Sequence, residues 1–347
     1  IIMSRKSSYC NMTKIKALGL LSGGLDSILA TEIVQKQGIQ VVAFNVKSPF
    51  CLCKKNGCAA VDASKQLKIP LKILAAKEDY LRMLRKPKHG YGRNMNPCLD
   101  CRIFLFKKAK KYAKEIGADF IFTGEVLDER PMSQHYEALR LIEKEAGLRG
   151  KVLRPLSACL LPETQAEKKG YIDRDKLLSI KGRSRKPQLK LAEEFNIKDF
   201  PCPAGGCLLT YEQYANKVRD LFEHKKRVSM EDIALLKIGR HFRYYKNKII
   251  VGRNQEENKI LIARKTKDEM TFELPDIVGP TTILQGPKTK KALEIAAQLT
   301  AFYSDAKSNE VKVNYGKEKL TKTLQVIVPS REIVDSLRIE KKKIKKK

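Results

Sequence analysis

The chain has 347 residues, with 70 Lys and Arg against 39 Asp and Glu, and a formal net charge of +31 at pH 7. That length admits two or three domains and a full core, and the charge suits a polyanionic partner, RNA ahead of an anionic membrane surface. No apolar run reaches spanning length and no signal-peptide pattern fills Ile1–Cys10, so a cytoplasmic protein with no membrane partner is expected; nine cysteines against four histidines exclude a histidine-rich metal site and, in a reducing compartment, read as thiols, metal ligands or redox groups.

In chain order, Ile15–Leu21 is apolar and of strand length, and Ser27–Gly38 carries apolar residues at helical spacing. Between them Leu21-Ser22-Gly23-Gly24-Leu25-Asp26-Ser27 is a strand-to-helix turn. Glycines let backbone N–H groups approach a ligand closely, and a helix N-terminus favours negative charge. Ser22 and Ser27 add hydroxyls. Asp26 suits a phosphate site only with Mg²⁺ between carboxylate and phosphate. The bland alternative is an ordinary turn with Asp26 and Ser27 as helix caps.

Further along, Gln40–Val46, Leu71–Ala75, Ala118–Glu125 and Val152–Leu156 read as strands. Ala59–Leu67, Glu78–Arg85, Cys101–Ile116 and Ser133–Glu145 read as helices between them. This alternation predicts an α/β fold, a doubly wound parallel sheet with ligands beyond the carboxyl ends of the strands. Phe44, Thr123 and Gly124 fall at such ends, and Phe44 is expected to border a nucleotide base. Lys181-Gly182-Arg183-Ser184-Arg185-Lys186 is dense in charge, and Arg183 and Arg185 are expected to contact phosphate of RNA. From about Ile238 the pattern turns β-rich: Phe242–Tyr245, Lys248–Val251, Lys259–Ile262 and Thr281–Leu284, then a helix at Thr289–Ala301 and strands at Val311–Val313 and Gln325–Val328. The expected boundaries are 14–215 for the α/β domain, 216–237 for a helical connector, 238–335 for a C-terminal α+β domain and 336–347 for a basic tail. Arg240, Arg243 and Arg253, interleaved with Phe242, Tyr244 and Tyr245, suit phosphate contact and base stacking.

Cys98-Leu99-Asp100-Cys101 sits at a helix start, where the helix end favours thiolate. On spacing alone it is a zinc half-site, a redox pair or an iron–sulfur half-site. Cys202 and Cys207 make a second pair. Cys51, Cys53 and Cys58 make a third group, read as incidental loop thiols or a separate zinc site.

The turn at Ser22–Ser27 resembles the PP-loop of the ATP pyrophosphatases, which split ATP into AMP and pyrophosphate. Thr123-Gly124-Glu125, Ser133-Gln134 and Leu153-Arg154-Pro155-Leu156 resemble, in order, the motifs of tRNA 4-thiouridine synthetases. This chain departs from that pattern at Leu127-Asp128-Glu129-Arg130-Pro131-Met132, where the family has a Gly-Gln pair. The resemblance implies a PP-loop fold of the adenine nucleotide α-hydrolase type, ATP and Mg²⁺ at Leu21–Ser27, tRNA as substrate, and sulfide or a cysteine desulfurase as sulfur donor. It also implies that a uridine carbonyl is adenylated by ATP and its oxygen replaced by sulfur, with Asp26 and the cysteines catalytic. Cluster-dependent tRNA thiolation enzymes are similar in their CxxC and a distant third cysteine. Carried over, this implies a 4Fe-4S cluster on Cys98, Cys101 and one of Cys202 or Cys207. Cluster-free relatives imply instead a persulfide on the downstream cysteine. Ile250-Val251-Gly252-Arg253-Asn254 with Asn258, and Asp276-Ile277-Val278-Gly279-Pro280, resemble the RNA-binding domain of NFACT ribosome-quality-control proteins. Two other functions are weighed: a PP-loop ligase forming amides or nitriles on a small molecule, and a nucleotide-sensing RNA-binding factor without catalysis.

Overall fold

The computed structural model describes residues 14–52, 58–200 and 206–341. Cys10, Cys53, Cys202 and the lysine-rich end from residue 342 lie outside the described residues. Contacts divide the chain into two units, 1–92 with 96–207, and 93–95 with 208–347.

The first unit runs β1 (Lys16–Leu20), α1 (Leu25–Gln35), β2 (Gln40–Lys47), α2 (Ala59–Gln66), β3 (Leu71–Ala75), α3 (Glu78–Arg85), α4 (Cys98–Glu115), β4 (Phe120–Thr123), α5 (Tyr136–Ala146), β5 (Val152–Leu153), α6 (Gln165–Lys168) and α7 (Lys186–Glu194). Its five strands are all parallel, in the order β3-β2-β1-β4-β5, the doubly wound sheet expected from the sequence. Successive strand residues bury on opposite faces. Ala17, Phe120 and Phe122 pack with Leu25, Ile28 and Leu29 of α1, while Leu18, Phe44 and Ile121 pack with Ile103 and Phe106 of α4 and Ile142 of α5. Gly19 is required where it stands: a Cβ there would lie 2.5 Å from the Phe122 ring. In register, Leu20 faces both Phe44 of β2 and Thr123 of β4. β1 and β4 therefore end at one level, while β2 runs on to Lys47 beside β3, and the sequence order reverses direction around β1.

The second unit runs α8 (Glu212–His224), α9 (Met230–Leu235), β6 (Arg240–Tyr244), β7 (Asn247–Val251), α10 (Gln255–Arg264), β8 (Met270–Glu273), β9 (Thr282–Gln285), α11 (Lys290–Phe302), β10 (Glu310–Gly316), β11 (Lys322–Ile327) and α12 (Arg331–Leu337). Its six strands form a sheet in the order β11-β10-β8-β9-β7-β6, with antiparallel pairing throughout. Phe242, Ile249, Phe272 and Leu284 pack against Ile295, Ala296 and Leu299 of α11. The strand expected at Lys259–Ile262 is part of helix α10 instead. Asn254 caps that helix by accepting from the Glu257 N–H, two glutamates occupy its first turn, and of the expected strand only Leu261 is fully buried. Strand β8 was not expected, because Met-Thr-Phe-Glu is too short and mixed to carry a period.

Lys248 on β7 is buried, and burial lowers its pKa to about 8 despite the nearby Asp220 carboxylate. Lys248→Met is expected to stabilise this unit at pH 7 by roughly 1–4 kcal/mol, because a buried charge is removed. The unfolded lysine titrates at about 10.4. Wild-type stability therefore rises with pH between about 8 and the unfolded value. The variant's advantage should shrink across that window in urea melts.

Candidate nucleotide and thiol site

The turn between β1 and α1 is held from three sides. The Leu21 N–H donates to the Phe44 carbonyl at 3.0 Å, and the Asn45 side-chain amide donates to the Leu21 carbonyl at 2.8 Å. The Ser22 hydroxyl accepts from the Gly24 N–H and donates to the Ser27 hydroxyl, each at 3.3 Å, and Ser27 donates to the Gly24 carbonyl at 2.8 Å. Gly23 has a φ of +82°, and a Cβ on it would lie 2.2 Å from the Ala59 carbonyl carbon of α2. A Cβ on Gly124, just after β4, would lie 2.5 Å from the backbone of Asp26 and Ser27. Both glycines are thus required by close backbone approach. Gly23→Ala should destabilise the first unit by roughly 1–3 kcal/mol from backbone strain, with the clash against α2 adding to it; urea unfolding measures this.

Asp26, in the first turn of α1, has one buried carboxylate oxygen with no hydrogen-bond partner. Burial raises its pKa, opposed by the charges of Arg185 and Arg130 and by the side chain of Gln188. Gln188 is fully buried, and its amide finds no partner other than Asp26. Glu129 stands in the same field: burial and then the Asp26 charge raise its pKa, while Arg130, Arg185 and Arg102 lower it. Glu129 lies in the stretch where the sequence departs from the synthetase motif. Asp128 before it takes a φ of +62°, the conformation a glycine would adopt there without strain.

Several expected roles shift. The ring of Phe44 is buried against Tyr112, with centroids 5.2 Å apart, so Phe44 serves the turn through its carbonyl and not by bordering a base. Thr123 is buried at the end of β4. Arg185, expected on RNA, precedes α7, and its charge acts on Asp26, whereas Arg183 is exposed. Arg154 is 3% exposed and donates to Glu125 at 3.2 Å and to Glu143; Glu125, 2% exposed, also meets Arg102 at 3.6 Å.

Cys98 and Cys101 occupy the first turn of α4. Asp100 between them accepts the N–H groups of Lys88 and His89, at 3.0 and 2.9 Å, and so anchors the basic loop before the helix. The Tyr80 hydroxyl donates to the Cys101 sulfur at 3.3 Å. Tyr80 is itself buried, edge-on to Phe104 and near Phe50. The expected thiolate bias of the helix end is overridden here. Burial raises the pKa of both thiols, against Arg102 and Arg130 at Cys98 and against Tyr80 and Arg102 at Cys101. Cys207 also acts on the Tyr80 hydroxyl, and its backbone pairs antiparallel with that of Cys51. Cys58 caps α2, and Cys159 is exposed on the surface. Tyr80, Glu129, Arg130 and Gln188 were not expected from the sequence, since single polar residues in loops and mixed helices carry no period.

The buried, unpartnered oxygen of Asp26 fits Mg²⁺. Among the described residues no group of three or more His, Cys, Asp or Glu side chains is placed to hold a metal ion. A ligand set through Cys202 falls outside the described residues. No helix among the described residues is long and apolar enough to cross a membrane.

In the second unit Arg243 is 7% exposed and ion-paired with Asp220, with Nε 2.9 Å from the carboxylate. It is spent inside the fold and not offered to RNA. Arg240 stacks 4.4 Å from the Tyr303 ring and donates to the Gly252 carbonyl, and Arg253 pairs with Glu257. Tyr245 is 78% accessible at the tip of the β6–β7 hairpin and edge-on to Tyr244.

Residues 12–160 match the family model "Thiamine biosynthesis protein (ThiI)", and residues 239–336 match "NFACT protein RNA binding domain". The resemblances read from the motifs in both halves are thus found again. Curated relatives include the tRNA-specific 2-thiouridylase MnmA of Clostridium botulinum, 26% identical over 145 residues, covering 38% of this chain and 40% of the relative. The MnmA of Caldicellulosiruptor saccharolyticus is 24% identical over 361 residues, covering 92% and 95%. The chain thus spans 40% of the length of the Clostridium botulinum relative. Among solved structures, a 4-thiouridine synthetase–RNA complex with bound ATP aligns at TM-score 0.35 and 22% identity, over 64% of this chain and 52% of that one. The U34-tRNA thiolase NcsA from Methanococcus maripaludis with its [4Fe-4S] cluster aligns at TM-score 0.32 and 19% identity, over 64% and 70%.

Proposed function

We propose that this chain is an ATP-dependent tRNA sulfurtransferase. One observation carries the reading: the charge of Arg130 acts both on Asp26 of the nucleotide turn and on Cys98 of the thiol group, while Arg102 acts on Glu129, Cys98 and Cys101. That the nucleotide turn and the thiol pair lie within the field of the same arginines supports reading them as parts of one site.

In this reading the N–H groups of Gly23 and Gly24, the hydroxyls of Ser22 and Ser27 and the start of α1 hold the pyrophosphate part of ATP. Mg²⁺, when bound at Asp26, supplies charge neutralisation to the phosphates. A uridine carbonyl oxygen attacks the α-phosphorus and pyrophosphate leaves. Sulfur then attacks the ring carbon and AMP leaves, carrying the former carbonyl oxygen. Arg130 and Arg185 offset the negative charge that these departures gather. The sulfur step is assigned to thiols that accept sulfane sulfur from a desulfurase-borne persulfide; sulfide, the other donor, would attack the ring carbon directly without passing through a cysteine persulfide.

The second unit supplies RNA affinity, with Tyr245 as a stacking platform. Tyr245→Ala should weaken tRNA binding by roughly 1–3 kcal/mol, read by filter binding at fixed salt, with the fold unchanged because the side chain is exposed.

The test is anaerobic incubation with ATP, Mg²⁺, bulk unmodified tRNA and either inorganic polysulfide, which can load a thiol, or sulfide, which cannot. AMP formation that depends on tRNA, together with thiouridine in digested tRNA, is expected. AMP formed with a small carboxylic acid alone would move the protein to the ligases, and none under any condition would make it a nucleotide sensor. Iron analysis accompanies the test: full activity in metal-free protein supports the thiol route, while iron lost together with activity in Cys98→Ser and Cys101→Ser overturns it in favour of a cluster.

A further inference from the structure

A cavity of about 260 Å³ lies between α5, β5 and the segment leading into α6, and no residue of Leu21–Ser27 lines it. β5 is an edge strand of the parallel sheet, so among the described residues no further strand covers its side away from β4. The floor is apolar: Leu139, Val152, Leu153 and Ala158 are each at most 3% exposed. Sites for drug-sized ligands measure about 300–1,000 Å³, so the occupant of this one is small.

The charges around this floor do not balance. Arg154 lines the cavity, and its Nε and Nη1 are engaged by Glu125, Glu143 and the Val152 carbonyl, but its Nη2 is buried and has no partner. A buried donor left unmade costs free energy that an acceptor recovers. Arg140 and Arg149 also line the cavity and are exposed, Arg140 resting on the Tyr136 ring, and neither forms an ion pair among the described residues. Two of the lining carboxylates are already engaged. Glu143 accepts from Arg154 and from the Gly150 N–H, and Glu167 accepts from Arg174 and from the N–H and hydroxyl of Thr164. Only Glu163 among the lining acids is exposed and without an ion pair. Three guanidinium groups with unused donors favour an anion. The two engaged glutamates disfavour a second negative charge on it, so a carboxylate fits better than a phosphate.

We infer that this cavity binds a small apolar monocarboxylate. The carboxylate supplies the acceptor that Arg154 lacks and meets the charges of Arg140 and Arg149. The hydrocarbon part lies on the floor of Leu139, Leu153 and Ala158. In an α-amino acid of this kind the ammonium group is met by Glu163. The inference does not depend on the sulfurtransferase reading. It does touch the same structure, because Glu125, the other partner of Arg154, follows Gly124, whose neighbours are the backbone atoms of Asp26 and Ser27. An occupant bonded to Arg154 therefore sits one ion pair away from the wall of the nucleotide turn.

The test is calorimetric titration of the full-length protein with 4-methylpentanoate, with leucine, with neutral 4-methylpentanamide and with inorganic phosphate. Saturable binding of 4-methylpentanoate or leucine is expected, and the tighter of the two tells a plain acid from an amino acid as the natural occupant. The double variant Arg140→Ala/Arg149→Ala should weaken that binding about tenfold. Both positions are exposed, so the fold is kept. Leu161→Phe, which fills the cavity from a half-buried wall, should abolish binding; should that variant not fold, the double variant still decides. An amide that binds as tightly as the acid overturns the proposal, as does phosphate binding that the double variant loses. Equal affinity for the acid in wild type and double variant overturns it too, and so does the absence of saturable binding by both acids at millimolar concentration.

Discussion

Asp26→Asn should lower tRNA-dependent AMP formation by about 100-fold or more, the scale seen when one preorganised electrostatic contact to a reacting centre is lost. The substitution keeps volume and removes charge. Asp26 is a suitable target because one of its oxygens is buried and has no partner within the protein. An amide at this position leaves α1 intact, since Gly24 and not Asp26 is the residue preceding the helix and no side-chain cap is lost. Thermal unfolding should therefore be unchanged, or slightly raised, because the carboxylate is held at a desolvation cost. Wild-type turnover in the purified variant would remove Asp26 from the metal site.

Arg154→Ala should have the largest effect on stability. Arg154 sits between Glu125 and Glu143, and neither it nor Glu125 reaches solvent. Removing it leaves Glu125 with only the longer contact to Arg102. Breaking one side of a buried ion pair costs roughly 3–5 kcal/mol, which for a domain of this size lowers the melting temperature by roughly 10 °C or more. Glu125→Gln should cost less, because its partner retains Glu143. A melting temperature for Arg154→Ala within 2 °C of wild type, a margin of about 1 kcal/mol, would show the network to be loose in solution.

Much of the candidate nucleotide site was legible in the sequence because it is local. A strand, a glycine turn and a helix start follow one another within Lys16–Ser27, and the period on each side identifies them. The parallel sheet was legible for the same reason, strand by strand. The rest of the site depends on contacts between distant segments. Arg185 reads as one more charge in a basic run until the fold brings Asp26 into its field. Glu129 and Tyr80 carry no periodic or compositional mark, and Cys51 reads as an incidental thiol until its backbone pairs with Cys207. The thiolate expectation failed on magnitude: a helix N-terminus shifts a thiol modestly, and burial at Cys98 and Cys101 outweighs it. In the β-rich half, short mixed segments hid β8 and disguised α10, where an Asn cap and acidic first turn decided for helix.

The adjacency of β1 and β4 has a consequence for how the protein comes into being. Lys16 and Asp119, whose backbone and carboxylate meet at 2.8 Å, are 103 positions apart in the chain. The Gly124 backbone that abuts Asp26 arrives still later. Closing a loop of that length is entropically costly and slows the pairings that require it. During synthesis the nucleotide turn leaves the ribosome early, yet it has no second wall until more than a hundred residues have been added. β1 must wait meanwhile as an apolar strand with one edge open, which is the state that chaperones bind. The hairpin of β6 and β7, by contrast, closes over two residues and needs no such wait. The β1–β4 pairing of the first unit is thus expected to form later than that hairpin's, although β1 is made first.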